Sequence, residues 1–128
     1  MADPNYPDDL KYHAEHDWAR IEGDEAVFGI TWYAQDSLGE VVFFTPPEIG
    51  TKVTKDGYYT EVESVKAVSD VVAPLSGEII AANTDLGANP ETINEDPYGA
   101  GWLVRIKLTD PSEVDALMDA DAYVATLS

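Results

Sequence analysis

Apolar and polar residues alternate most regularly on either side of one lysine. Tyr58, Thr60 and Val62 recur at period two before Lys66, and Ser69, Val71 and Ala73 recur after it. Period two marks strands with one face buried, so residues 61–72 predict a hairpin with Lys66 near its tip. Upstream, residues 15–21 and 26–30 predict an earlier hairpin that turns through Glu22-Gly23-Asp24, where glycine supplies the positive φ of a tight turn. In its second strand Ala26, Phe28 and Ile30 share a face, and Gly29 between them marks a close backbone approach. Thr31 is placed to cap a short helix over residues 32–38, with Gly39 closing it as a left-handed cap. Val41-Val42-Phe43-Phe44 is a continuous apolar run, which predicts a strand buried on both faces. Pro46-Pro47 ends it, because neither residue can donate to a ladder.

Beyond that point the pattern is quasi-repetitive. Pro47-Glu48-Ile49-Gly50 leads into Thr51-Lys52-Val53, and Pro74-Leu75-Ser76-Gly77 leads into Glu78-Ile79-Ile80. With the Lys55-Asp56-Gly57 turn and the lysine hairpin between them, these units predict a small flattened barrel of pseudo-two-fold symmetry. Residues 83–100 are polar and rich in turn formers, too long for an idle connection. Residues 102–108 predict a further strand. Asp110-Pro111-Ser112-Glu113 then opens a helix, with Asp110 as N-cap, Pro111 at the first helical position and Glu113 completing a capping pair. Val114, Leu117 and Met118 share a face there, and Ala120, Tyr123, Val124 and Leu127 continue in a second short helix. Residues 1–11, polar and rich in Pro and Asp, read as a flexible arm, leaving 12–128 as a single domain.

Composition narrows the function. The 128 residues include no cysteine, which removes disulfides, thiol catalysis, Fe–S clusters and Cys-ligated zinc. Twenty-five acidic residues against seven basic ones give a net charge of −18. Such a surface excludes an electrostatically driven nucleic-acid or anionic-membrane partner. It matches proteins adapted to high intracellular salt, so a halophilic source is expected. No apolar run approaches a membrane span and the N-terminus is acidic, so a cytoplasmic protein, or one lacking its presequence, is expected.

Candidates for catalysis are thin. His13 and His16 are the only histidines, and residues three apart on a strand point to opposite faces, a poor arrangement for a shared metal. Glu61 and Glu63 share a face and could act as acid and base, although paired carboxylates on an acidic chain usually form a solvated face. No nucleophile–base motif or phosphate loop is present. Lys66 fits two readings at this stage, an ordinary solvated turn lysine and the attachment point of a covalent carrier.

The chain resembles the glycine cleavage system H proteins. The resemblance runs from about Tyr12 to Leu127. It includes His16-Asp17-Trp18, Gly29-Ile30-Thr31, Leu38-Gly39-Glu40-Val41-Val42-Phe43, Glu63-Ser64-Val65-Lys66-Ala67, Pro74-Leu75-Ser76-Gly77-Glu78 and Asn94-Glu95-Asp96-Pro97-Tyr98. It implies a mainly β, lipoyl/biotinyl-type barrel-sandwich hybrid with an N-terminal hairpin, one short internal helix and C-terminal helices.

The same resemblance implies a non-catalytic carrier whose Lys66 is joined by an amide to lipoic acid. It would take an aminomethyl group from a pyridoxal-phosphate glycine decarboxylase to a tetrahydrofolate-dependent aminomethyltransferase, and be reoxidised by dihydrolipoamide dehydrogenase. A lipoate-attaching enzyme is a further implied partner, and a monomer is expected. Asp17 and Asp70 map to acidic positions that would contact the loaded arm, Asp17 being one methylene shorter than the usual Glu; for each, a solvated carboxylate is the alternative. Tyr33 receives no role. A scaffold for lipoate assembly and relay needs the same lysine and is the competing function; an unmodified β-rich interaction module is a third.

Overall fold

The computed structural model describes residues 5–127. Nine strands form two antiparallel sheets among these residues. Strands β1 (Lys11–His13), β2 (Asp17–Glu22) and β3 (Glu25–Ile30) make the N-terminal meander. They continue through β9 (Val104–Leu108), β8 (Gly77–Ala82) and β5 (Lys52–Val53) into a six-stranded sheet of order β1-β2-β3-β9-β8-β5. The smaller sheet has the order β4-β6-β7, from β4 (Val41–Phe44), β6 (Tyr58–Ser64) and β7 (Val68–Val72). The two repeat units lead into β5 and β8, which pair antiparallel through Lys52↔Glu78 and Val53↔Gly77. Antiparallel pairing of equivalent strands supplies a local two-fold relation, as the repeat predicted.

Period-two patterning places the core. Ala26 and Phe28 on β3 join Ile79, Val104 and Ile106 in one cluster, while Val27 between them faces an aromatic cluster on the opposite side. That aromatic layer contains Tyr6, Leu10, Tyr12, Trp18 and Tyr123. Residues 1–4 of the expected arm lie outside the described residues. In the remainder Tyr6 and Leu10 are buried, because their apolar bodies cover the open face of the meander. A third cluster lies under the small sheet and holds Ile30, Val41, Phe44, Val62, Val71, Ile93 and Leu103. Tyr59 packs against both interior clusters and ties them together. Gly29 is the close approach its position predicted: a Cβ there would lie 2.5 Å from the Trp18 ring.

Helix α1 (Trp32–Leu38) is capped by Thr31, whose Oγ1 accepts the Ala34 N–H at 3.2 Å. Gly39 closes it with φ 80° and ψ −158°, a conformation beyond the left-handed helical one expected. Residues 83–100 contain a 3₁₀ turn over Thr84–Gly87 and helix α2 (Thr92–Glu95). Near the C-terminus, Pro111–Ala116 is 3₁₀ rather than α, and α3 (Ala120–Ala125) follows. Asp110 caps as predicted, accepting the Ser112 N–H, but Glu113 does not complete the capping pair. It accepts hydrogen bonds from Ser76 N–H at 2.7 Å and Ser76 Oγ at 2.9 Å instead, which pins the C-terminal segment to the second repeat turn. Met118 also leaves the predicted face: it pairs with Tyr12 and packs in the aromatic layer, while Val114 and Leu117 pack on the interior.

Candidate functional site

Lys66 lies at the hairpin tip as its sequence setting predicted, between β6 and β7, which pair through Glu63↔Val68 and Glu61↔Asp70. Ser64 builds the tip. Its Oγ accepts the N–H groups of Lys66 at 3.3 Å and Ala67 at 3.1 Å, and its own N–H donates to Ala67 C=O at 2.8 Å. A second tie comes from outside the hairpin, where the Val65 N–H donates to Glu40 C=O at 3.1 Å. The Lys66 side chain is exposed, and among the described residues no carboxylate pairs with it. Its stem passes over the helix end, with Cε 3.6 Å from where a Cβ on Gly39 would sit.

Asn94 of α2 holds that helix end in place. Its amide donates to Gly39 C=O at 2.8 Å and to Gln35 Oε1 at 3.0 Å, and its Oδ1 accepts the Val41 N–H at 2.8 Å. Three contacts from one side chain therefore fix the α1–β4 junction, and Glu40 within that junction fixes the hairpin tip. Neither Ser64 nor Asn94 carried a role in the sequence reading. Ser64 could have been found as a hydroxyl two and three residues before the N–H groups it caps.

The hairpin's second strand also forms one wall of a cleft of about 210 Å³, whose lining includes His16, Asp17, Tyr33, Leu38, Ser69 and Asp70. The structure thus brings Asp17 and Asp70 to one cleft. The two differ in setting. Asp70 is exposed, directly opposite Glu61. Asp17 is only 2% exposed, so its solvated-carboxylate reading is overturned: its strand lies between β1 and β3 and runs beneath the aromatic layer. Asp17 Oδ2 and Tyr59 Oη are both buried without a hydrogen-bond partner. Burial, reinforced by the negative charge of Glu15, pushes the Asp17 carboxyl well above the ordinary carboxylate range. Burial and then the nearby Asp17 charge push the Tyr59 phenol up as well.

The two histidines go to separate partners. His13 Nε2 lies 2.6 Å from Asp56 Oδ1, whereas His16 Nδ1 lies 2.7 Å from Tyr123 Oη. His16 has φ 72°, uncommon for a non-glycine residue, and its ring lies tilted at 35° to that of Tyr33, with centroids 4.5 Å apart. Burial lowers its pKa, which keeps the imidazole neutral at neutral pH. Tyr33, given no role in the sequence reading, lines the cleft together with His16.

Two twisted sheets with one free lysine on a braced hairpin define a lipoyl-type barrel-sandwich domain. Comparison with known proteins agrees at the level of family. The family model described as "Glycine cleavage H-protein" matches residues 10–128. A glycine cleavage system H protein of Myxococcus xanthus is 51% identical over 127 residues, covering 99% of this chain and 98% of its own. One of Halorhodospira halophila is 54% identical over 118 residues, covering 91% of each chain. The crystal structure of a glycine cleavage system H protein from Mycobacterium marinum superposes with a TM-score of 0.87 at 41% identity, covering 94% of this chain and 98% of that one. The chain belongs to the glycine cleavage H-protein family.

Proposed function

We propose that the chain is a non-catalytic carrier bearing lipoic acid on Lys66 and moving the aminomethyl group of glycine between enzymes. The observation that carries this reading is an unpaired lysine on a hairpin tip, beside a cleft lined by a buried carboxyl whose Oδ2 has no hydrogen-bond partner. The lipoyl group, once attached, supplies a redox-active dithiol that this cysteine-free chain lacks. The partners in this reading are the glycine decarboxylase, the aminomethyltransferase, dihydrolipoamide dehydrogenase and the lipoate-attaching enzyme. The setting is the cytoplasm, and the chain acts as a monomer.

The chain's own residues have physical roles in this reading. Ser64 and Glu40 hold the tip rigid, so that the flexibility needed for transport resides in the arm. Asp17 and Asp70 offer carboxyl groups to a cationic amine entering the cleft, where charge-assisted hydrogen bonds are short and strong. Burial disfavours the Asp17 carboxylate, and an ammonium beside it would favour the ionised form, since an opposite charge stabilises the carboxylate. His16 and Tyr33 screen the cleft from water.

A reconstituted glycine-cleavage assay with Lys66→Arg tests the proposal. Arginine keeps the charge but cannot be acylated in the same way, so the variant should fold normally and support no aminomethyl transfer. Transfer at the wild-type rate through Lys66→Arg would contradict it.

A further inference from the structure

The small sheet is bulged in two places, and each bulge re-aims a side chain. In β4, Val41 pairs with Ser64 and Phe43 with Glu63, which turns Val42 and Phe43 outward although the apolar run predicted burial on both faces. In β6, Tyr58 pairs with Val72 and Thr60 with Val71, so Tyr59 is the extra residue, and it turns inward. Its ring meets Phe28 edge to face with centroids 6.0 Å apart, and it packs against both interior clusters. A partly exposed tyrosine ordinarily keeps its polar tip in water. Tyr59 does the reverse: the residue is partly exposed, yet its Oη is buried.

Strand register identifies what that hydroxyl approaches. Asp17 and Ala19 share a face of β2, and their partners on β3 are Ile30 and Phe28. Cross-strand partners point to the same side of a sheet, so the Asp17 carboxyl lies on the interior face, in line with the Phe28 ring that Tyr59 meets. The Asp17 charge reaches the Tyr59 phenol. Among the described residues, Asp17 Oδ2 and Tyr59 Oη are the two buried side-chain polar atoms without a hydrogen-bond partner. An ionised carboxyl only accepts, and a phenol can donate, so each is the partner the other lacks. Glu15, His16, Tyr33 and Asp70 line the cleft with Asp17, and the Tyr123 hydroxyl is engaged by His16 and Thr31; none of the five gives Oδ2 a hydrogen bond.

We propose that Tyr59 is a positioning residue for the loaded arm: its O–H donates to Asp17 Oδ2 when the carboxyl ionises beside the cationic amine, leaving Oδ1 to receive that amine from the cleft. The inference rests on the reading of Lys66 as the lipoyl-bearing lysine and of Asp17 as an amine contact. No covalent bond to carbon changes. The Asp17 proton leaves to solvent through the cleft, and Tyr59 keeps its own. The carboxyl reaches the phenol by turning about χ2, a broad torsion, so the backbone stays in place. A hydrogen bond to a carboxylate is about twice as strong as one between neutral groups. Tyr59 therefore favours the ionised form over the neutral one, and through it holds the amine.

Two readouts on the full chain test the role. In the chain without lipoate, carrying isotope-labelled aspartate carboxyls, the Asp17 signal is identified by its loss in Asp17→Asn and titrated by NMR. Tyr59→Phe should move its midpoint up by about one pH unit or more. A fluorinated tyrosine at position 59, a stronger donor of nearly the same shape, should move it down. In the lipoylated chain loaded with the aminomethyl group, Tyr59→Phe should shorten the lifetime of that group at neutral pH about tenfold. In an Asp17→Asn background the same change should alter the lifetime by less than about twofold, because the partner is gone. An Asp17 midpoint that neither variant moves, or a wild-type lifetime in Tyr59→Phe, overturns the role of Tyr59 alone. An equal effect of Tyr59→Phe with and without Asp17 assigns the tyrosine to packing and also overturns it. Should Tyr59→Phe unfold, the fluorinated tyrosine decides. A wild-type chain that loses its aminomethyl group as fast as free lipoamide does contradicts the sheltering cleft itself, and the role of Tyr59 falls with it.

Discussion

Asp17 shows how one residue couples the cleft to stability. Its folded pKa is raised by burial, so between the unfolded value, about 4, and the folded one the native chain holds the extra proton. Stability is therefore lost as pH rises through that window. Asp17→Asn removes the ionisation while keeping the shape, and should be more stable than wild type at pH 7–8 and equal to it near pH 3. A gain of about 1 kcal/mol, less than the worth of a single pKa unit between the folded and unfolded states, would move Tm by roughly 4 °C in a domain of this size. Thermal melts of both proteins across pH check the prediction; a constant difference at every pH would contradict it. The sequence made the residue visible but not its state. Asp17 and Asp70 were both legible as acidic positions through family resemblance, whereas burial, which separates them, depends on Tyr59 and the aromatic layer folding in from distant parts of the chain.

Among the elements, the lysine hairpin was the most legible, because period-two alternation ran into a single lysine from both sides. Its details were not. A register shift between Tyr58 and Thr60 breaks the predicted face, so that Val62 is buried and Tyr58 exposed. The bulge in β4 similarly turns outward two residues whose composition predicted burial. A bulge adds one residue to one strand, and no local pattern encodes it when every neighbouring side chain is apolar. The helix that braces the hairpin was legible from Thr31 and Gly39. Gly39 has φ 80° and ψ −158°, a region essentially restricted to glycine. Gly39→Ala should cost about 1–3 kcal/mol from the backbone alone, since the added Cβ meets only Lys66 Cε at 3.6 Å. Chemical denaturation of the variant checks this; unchanged stability would mean that the α1–β4 junction relaxes without strain.

The whole molecule is an acidic shell around three apolar clusters. Five of the seven basic side chains, Arg20, Lys52, Lys55, Arg105 and Lys107, pair with carboxylates. The remaining excess of acid repels itself, and salt screens that repulsion. Unfolding in KCl should therefore show stability rising from 0.01 M toward molar salt, as a halophilic origin requires; full stability at the lowest salt would contradict it. The barrel was legible from short strands, turns and the paired Pro-x-x-Gly units. The packing of Tyr6 and Leu10 was not, because a polar, proline-rich segment gives no sign of the surface it will cover. All three clusters, and the braces at Ser64 and Asn94, serve to hold one lysine clear of the body. Peptide mass spectrometry of the chain purified from its native host tests that claim most directly: the account predicts a lipoyl-sized increment on the peptide containing Lys66 and on no other, and a Lys66 peptide consistently free of modification would contradict it.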